Sequence, residues 1–342
     1  MLLVIAAMSL LGCGPSDGSR AAPALKERSA DDGTNNARPM DEEPIGEEPP
    51  PSSGTITYAT RLERASAVAV DNQWVYWTVQ GRSSTDGIVM RAPKLGGAVE
   101  TLASGLNYPN EILVDDDAIY WVEFLANRLW RLPKNGGRAT VRVGAPHTFY
   151  GFAMDAAHLY WADNGSVGSS VWRVPKVSGA PEKIAAVGGS ANRPVLDATN
   201  VYLHVGVDEF TNMISSVPKS GGPVTVVADS AFPPIAVDET SLYLVLGILG
   251  PGVVNRRPKT GGTPVILAES VAPWGSIAQD DVNLYWGTYT ELLGVPKAGG
   301  VVRVIAAGQD SVSGIAVDAT RIYWTEYGSE AEPTGAVHSV LK

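Results

Sequence analysis

A single pattern recurs seven times along this chain, and its spacing leaves few folds open. The last copy reads Ile315-Ala316-Val317-Asp318-Ala319-Thr320-Arg321-Ile322-Tyr323-Trp324. Aligned on the aspartate, the copies fall at Asp71, Asp115, Asp155, Asp197, Asp238, Asp280 and Asp318, at steps of 44, 40, 42, 41, 42 and 38 residues. Five residues after each comes a tyrosine: Tyr76, Tyr120, Tyr160, Tyr202, Tyr243, Tyr285 and Tyr323. The next residue is Trp77, Trp121, Trp161, Leu203, Leu244, Trp286 or Trp324. Six units continue to a Pro-Lys pair (Pro93-Lys94, Pro133-Lys134, Pro175-Lys176, Pro218-Lys219, Pro258-Lys259, Pro296-Lys297), and five of these are followed after one residue by Gly-Gly. A period near 40 residues with four strand-like runs per period is a propeller blade. No run has a helical period, so the expectation is an all-β, seven-bladed β-propeller of four-stranded blades.

The sixth unit lays the blade out. Residues 277–279 read as the inner strand, 284–286 as the second, 293–295 as the third and 301–306 as the outer one. Strand residues alternate faces, so Tyr285 and Trp286 point to opposite sides of their sheet, each toward a neighbouring blade. Two residues before the aspartate, five units place Ala where blades crowd the axis (Ala69, Ala153, Ala236, Ala278, Ala316), against Leu113 and Val195 in the others. The seventh unit stops after its third run, at residues 337–342, and residues 55–60 supply the missing fourth strand. An N-terminal strand completing the C-terminal blade closes the ring and removes its open edges. Six blades plus an irregular segment is the alternative count.

With these residues in view, the pattern Ala-Val-Asp…Ile-Tyr-Trp-Thr-Glu resembles the YWTD repeat of low-density-lipoprotein-receptor-type propellers. The Pro-Lys-x-Gly-Gly turn resembles that of bacterial Tol-type lipoprotein propellers. The likeness covers residues 55–342 and implies a fold rather than an activity, because its motif residues are packing residues. YWTD propellers usually have six blades, and their fourth motif position is usually Asp. Here that position is acidic only at Glu123, Asp163 and Glu326, with Val79, Val205, Leu246 and Thr288 elsewhere.

The N-terminus reads as a targeting segment. Leu2 to Leu11 is largely apolar and too short to span a bilayer as a helix. It ends in Leu10-Leu11-Gly12-Cys13, which resembles a bacterial lipobox, although no Lys or Arg precedes it. The resemblance implies cleavage before Cys13, the sole cysteine of the chain, and lipidation of its thiol. If the source is Gram-negative, the resemblance with Gly14 rather than Asp after the cysteine implies the outer membrane over inner-membrane retention. Residues 1–13 are thus expected to be a lipoprotein signal ending at the lipidated cysteine, 14–54 a linker and 55–342 the propeller. The linker lacks aromatic residues and carries nine acids against four bases. Such composition favours disorder, with an end-to-end distance of about 35 Å. The propeller adds 27 acids and 22 bases, for a net −10 overall. An acidic chain without a basic cluster is a poor nucleic-acid binder. A monomer tethered to a membrane by lipid is expected.

Propeller function resides in loops that break the repeat. Two sets reach one face: the loops after Tyr-Trp and those leading into each inner strand. The channel-mouth candidates for ligand binding are Tyr108, Glu111, Glu123, Tyr150, Asp163, Arg193, His204, Trp274, Tyr289 and Glu326. This mixed aromatic and acidic rim suits a protein, peptide, glycan or cation. The repeat aspartates are expected to accept backbone N–H bonds in their turns rather than hold a metal. No nucleophile elbow, phosphate loop, zinc spacing or cofactor motif occurs. His204, with Asp208 and Glu209 nearby in sequence, is the one histidine expected on the functional face. The reading is a binding or scaffold module without catalytic residues. The alternative is a propeller hydrolase or lyase with a metal or lone base at the channel mouth. A passive envelope protein with a plugged channel is the third possibility.

Overall fold

The computed structural model describes residues 54–342, apart from 166–167, 208–210, 230–231, 247–251, 272–273 and 330. The leader, Cys13 and the linker lie outside the described residues, as do Asp208 and Glu209. Twenty-eight strands form seven antiparallel sheets of four, and no helix occurs among the described residues. The chain is a seven-bladed β-propeller. Blades one to six occupy 65–106, 109–143, 152–187, 190–229, 232–271 and 274–307, each in simple up-and-down order. Blade seven takes three strands from 312–341, and strand Ile56–Leu62 pairs outside Gly335–Leu341 as its fourth. The N-terminal strand therefore closes the ring.

The sixth blade runs Trp274–Gln279, Asn283–Gly287, Glu291–Pro296 and Arg303–Ala307. Its outer strand starts two residues later than the sequence pattern indicates. Gly299 and Gly300 have φ of +90° and +142°, so Val301 and Val302 are used in turning the chain before pairing begins.

Side-chain alternation produces the packing between blades. Seven apolar clusters fill the seven gaps, and each joins the tyrosine of one blade to the Trp or Leu of the next. Tyr76 packs with Trp121, Tyr120 with Trp161, Tyr160 with Leu203 and Tyr202 with Leu244. Tyr243 then packs with Trp286, Tyr285 with Trp324 and Tyr323 with Trp77. The five tryptophans are 0–2% exposed. Nε1 of Trp77, Trp121, Trp161 and Trp286 finds no acceptor among the described residues, so these side chains act as apolar bulk. Truncating one to Ala costs about 3–5 kcal/mol in a well-packed core.

The aspartates do more than shape turns. In all seven blades Oδ1 accepts the N–H groups two and three residues on, as for Gln73 and Trp74 at Asp71, both at 2.8 Å. In six blades the repeat tyrosine donates its hydroxyl to Oδ2. The lysine after the following blade's third strand, in a Pro-Lys pair in six cases and after Leu341 in the seventh, then reaches the same Oδ2. The pairs are Lys134–Asp71, Lys176–Asp115, Lys219–Asp155, Lys259–Asp197, Lys297–Asp238, Lys342–Asp280 and, across the closure, Lys94–Asp318. Five of these ammonium groups also sit 5.2–5.8 Å from the ring centre of the same tyrosine. Every gap thus has an aromatic filling and a charged clamp at the end where the Asp and Pro-Lys turns lie.

Candidate functional site

The opposite end carries the turns after Tyr-Trp and the entries to the inner strands. The residue facing each repeat tyrosine across the inner pair is Ala69, Leu113, Ala153, Val195, Ala236, Ala278 or Ala316. Two residues earlier stand Ala67, Glu111, Gly151, Arg193, Pro234, Ser276 and Gly314. In six blades the ladder is broken around this position, which turns it out of the sheet. Adjacent blades approach closely here. A Cβ on Gly314 would lie 2.7 Å from the Cα of Ala67. One on Gly151 would lie 3.0 Å from Oε1 of Glu111 and 3.2 Å from the Cα of Arg193. Only glycine lets the Glu111 carboxylate and the Arg193 backbone pack this closely against the segment before strand Phe152–Met154.

Glu111 is partly buried, with Oε2 accepting the Phe152 N–H at 2.8 Å. Burial lifts its carboxyl above the usual range, and the Phe152 N–H and Arg193 offset this only in part. Arg193 is exposed and holds φ +48°, an uncommon conformation for a side chain of its size. Its N–H bonds the Tyr150 carbonyl at 2.9 Å. Its Nη1 reaches past blade five to the Gly275 carbonyl of blade six, at 3.2 Å. Oγ of Ser276, next in the chain, is buried without a hydrogen-bond partner among the described residues. Across the ring, Tyr327, Gln80, Ser66 and Asn110 form a chain of side-chain hydrogen bonds that ties blades seven, one and two together.

The other sequence-derived candidates separate into distinct places. Glu123 is 2% exposed and accepts the Asn107 N–H and the Trp130 indole N–H, at 2.8 and 2.9 Å. Asp163 accepts from Thr148 Oγ1 at 3.0 Å and lies 2.9 Å from Nδ1 of His147. Glu326 stands 3.6 Å from Nε2 of His338, and burial with the nearby Asp310 carboxylate pushes its pKa up to about 7. These three acids occupy the same repeat position in three blades, and each anchors the connection leading into an inner strand. Tyr108 donates its hydroxyl to the Arg82 carbonyl, and Tyr150 packs edge-on against Phe124. His204 is 7% exposed, with Nε2 2.9 Å from Oδ1 of Asn212. Burial brings its pKa down to about 4, opposed by Asn212 and aided by the Arg193 charge. Tyr289 is 48% exposed on the turn after strand Asn283–Gly287. Trp274 begins the inner strand of blade six. The axis thus gathers Glu111, Arg193 and the Tyr150 backbone, while Glu123, Asp163 and Glu326 stay apart. No group of three or more His, Cys, Asp or Glu suited to a metal ion occurs among the described residues.

Gly151 and Ser276 escaped the sequence reading. Their signal is positional: aligned on the repeat, they complete the axial set that contains Glu111 and Arg193. A separate cleft of about 550 Å³ opens at the clamp end, between blades one and two. Its lining includes Asp71, Tyr76, Pro133 and Lys134, whose counterparts recur around the ring, together with Trp74, over which the Arg91 guanidinium lies at 3.9 Å. None of the channel-mouth candidates lines it.

No family model and no curated protein sequence matches the chain. Solved propellers do. A catalytically inactive virginiamycin B lyase of Staphylococcus aureus, determined with quinupristin, aligns with a TM-score of 0.63 at 13% identity, over 84% of this chain and 98% of the lyase. The computationally designed protein Ika8 aligns with a TM-score of 0.60 at 10% identity, over 82% of this chain and 98% of its own. BamB of Moraxella catarrhalis gives 0.51 at 13% identity, over 82% and 84%. At such identities the likeness is one of fold, and a lyase and a designed protein share it.

Proposed function

We propose that this protein is a lipid-anchored, extracytoplasmic binding module of a bacterial envelope, with its ligand site at the channel mouth. The observation that carries the reading is the axial set. Five blades place Ala, Gly, Pro, Ser and Gly there, so the fold requires no charge at that position. Glu111 and Arg193 depart from the pattern at the one place where all blades converge. Each makes one backbone bond to another blade, and positions that break the repeat at the axis are where function enters a propeller. The acids that an enzymatic reading would recruit anchor separate loops, which favours binding over catalysis. The lipobox-like Leu10-Leu11-Gly12-Cys13 and the acidic linker support the envelope placement.

Two experiments test this reading. Expressed as the full chain in a Gram-negative host, the protein is expected to take up labelled fatty acid and to fractionate with membranes. Cys13→Ala is expected to abolish both. Label retained by the variant, or absent from the wild type, removes the anchor. For the site, a melting screen of glycans, peptides and metal ions on the full chain is compared with Glu111→Gln/Arg193→Gln. A ligand at 100 times its Kd stabilises by about 2.7 kcal/mol. Shifts from channel-mouth ligands should vanish in the double variant, and shifts that persist place binding elsewhere.

A further inference from the structure

All seven gaps share the aspartate clamp, but the gap between blades one and two adds a cleft of about 550 Å³ at the clamp end. That volume falls within the roughly 300–1,000 Å³ of small-molecule sites. The parts common to the ring are already engaged there. Asp71 is held by two backbone N–H groups, the Tyr76 hydroxyl and Lys134. Arg91 sets Nε and Nη2 on Oε2 of Glu100, at 2.8 and 2.7 Å. The rest of the lining departs from the repeat. Trp74 stands three residues after its aspartate, where the other blades have Ala118, His158, Asn200, Ser241, Asn283 and Arg321. Blade two contributes Asp116, Asp117 and Asn135, and Asp115-Asp116-Asp117 is the one turn of the seven with three consecutive acids. The next gap serves as an internal control. It keeps the clamp, Lys176 on Asp115, yet the four equivalent positions are Ala118, Ala156, Ala157 and Val177. The fold therefore requires neither the tryptophan nor the three polar side chains that blades one and two bring together.

We infer that this cleft binds a neutral carbohydrate, with its hydroxyls on the free polar side chains and its C–H surface against Trp74. The site is separate from the channel mouth and lies at the other end of the ring. Asp116, Asp117 and Asn135 are exposed, and their side chains make no hydrogen bond or ion pair among the described residues. The same holds for Asn72 and Gln73 on blade one. Two carboxylates and three amides thus offer planar acceptors and donors around an aromatic ring that the Arg91 guanidinium holds at 3.9 Å. A sugar hydroxyl donates and accepts, so it can use both kinds of group. Charged ligands are disfavoured in either sign. An anion meets the two free acids, while Lys134 and Arg91 already have carboxylate partners. A cation meets three bases in the same lining, Arg91, Arg131 and Lys134. A neutral ligand avoids both penalties.

The test is an array of neutral, acidic and amino glycans probed with the full chain, followed by calorimetry with the neutral disaccharide that binds best. The wild type is expected to bind neutral glycans about tenfold or more tightly than their acidic and amino forms. Asp116→Ala/Asp117→Ala/Asn135→Val places the residues of the neighbouring gap in this one. It should keep the melting temperature within about 2 °C and weaken the disaccharide about tenfold or more. Trp74→Ala should weaken it as well, and Asp117→Ala, at one exposed side chain, is the mildest version. Glu111→Gln/Arg193→Gln leaves the cleft intact, so binding should persist in it. Binding lost in that mouth variant and kept in the triple one places the glycan at the mouth and overturns the inference. A preference for acidic or amino forms overturns it too, as does an array without a neutral ligand.

Discussion

Lowering the pH from 5 to 2 is expected to unfold the protein in a steep transition that takes up several protons. The aspartate clamps are the cause. Burial opposes ionisation of each, but the lysine, tyrosine and backbone donors outweigh it. Asp155, Asp238 and Asp280 come down to about 2 from the ordinary 3.8, and Asp71, Asp115, Asp197 and Asp318 are also lowered. A group whose pKa falls on folding adds stability above its unfolded pKa and loses it as pH drops through the folded value. The window is therefore about pH 3.8 down to 2 and below. With seven such groups the unfolded chain binds roughly five more protons near pH 3. Between pH 6.5 and 4.5 two pairs of groups oppose one another. Glu111 and Glu326 have raised values and favour folding as pH falls, while His204 and His338, both lowered to about 4, disfavour it. Stability should collapse below pH 4, where the aspartates titrate. Urea unfolding across a pH series reads the slope directly. Asp197→Asn should reduce it by about one proton. Lys259→Met, which removes the cation while the Thr199 and Asn200 N–H groups and the Tyr202 hydroxyl still hold the carboxylate, should lose about 1–2 kcal/mol at pH 7. A slope of a single proton between pH 2 and 4 would falsify a stabilising role for the ring of clamps.

Excising the closing strand is expected to be as damaging. Strand Ile56–Leu62 covers the outer edge of Gly335–Leu341, and Tyr58 is 7% exposed in the gap between blades seven and one. Its hydroxyl meets Ser339 Oγ at 2.9 Å and the Lys94 carbonyl at 2.8 Å, and Thr57 meets His338 at 2.9 Å. Deleting residues 55–62 exposes the paired edge from Gly335 to Ser339 and opens the cluster beneath. The melting temperature should fall by more than 10 °C, equivalent to several kcal/mol in a domain of this size, and the open edge should promote self-association. A synthetic peptide of residues 54–62 added in excess should restore part of the loss. Tyr58→Ala is the graded version and should cost about 3 kcal/mol, and Tyr58→Phe about 1 kcal/mol. An unchanged melting temperature in the deletion would mean that three strands suffice for blade seven.

The ring was legible because its signals are local and repeated. Tyr285 beside Trp286 requires two opposite faces, and Asp280 with its following turn requires a hairpin, wherever the neighbours lie. Closure was legible from the three strand-like runs of the seventh unit and the spare one at Ile56. The clamps were half legible. Asp and Pro-Lys both recur, but pairing Lys134 with Asp71 requires knowing that blade two sets its outer turn against the inner turn of blade one. The site was least legible. Glu123, Asp163 and Glu326 look like rim acids in sequence because they follow Tyr-Trp. Their work is to bind the connections at Asn107, Thr148 and Asp310, which pattern alone does not bring near. Glu111 and Arg193 stand 82 residues apart, and only the ring geometry shows that one glycine separates them.

The closure also sets the polymer physics of the chain. Six links between blades join residues roughly 60 apart, as in the separations of 63, 62 and 59 at three of the clamps. The strand pairing that completes blade seven joins Tyr58 to Ser339, 281 residues away. Loop entropy grows only with the logarithm of length, so this last link costs about 1.4 kcal/mol more than any other. That is less than one buried tyrosine returns. A ring of this size can therefore be fastened by a single short strand, while six blades assemble from neighbours in sequence and one contact waits for the whole chain.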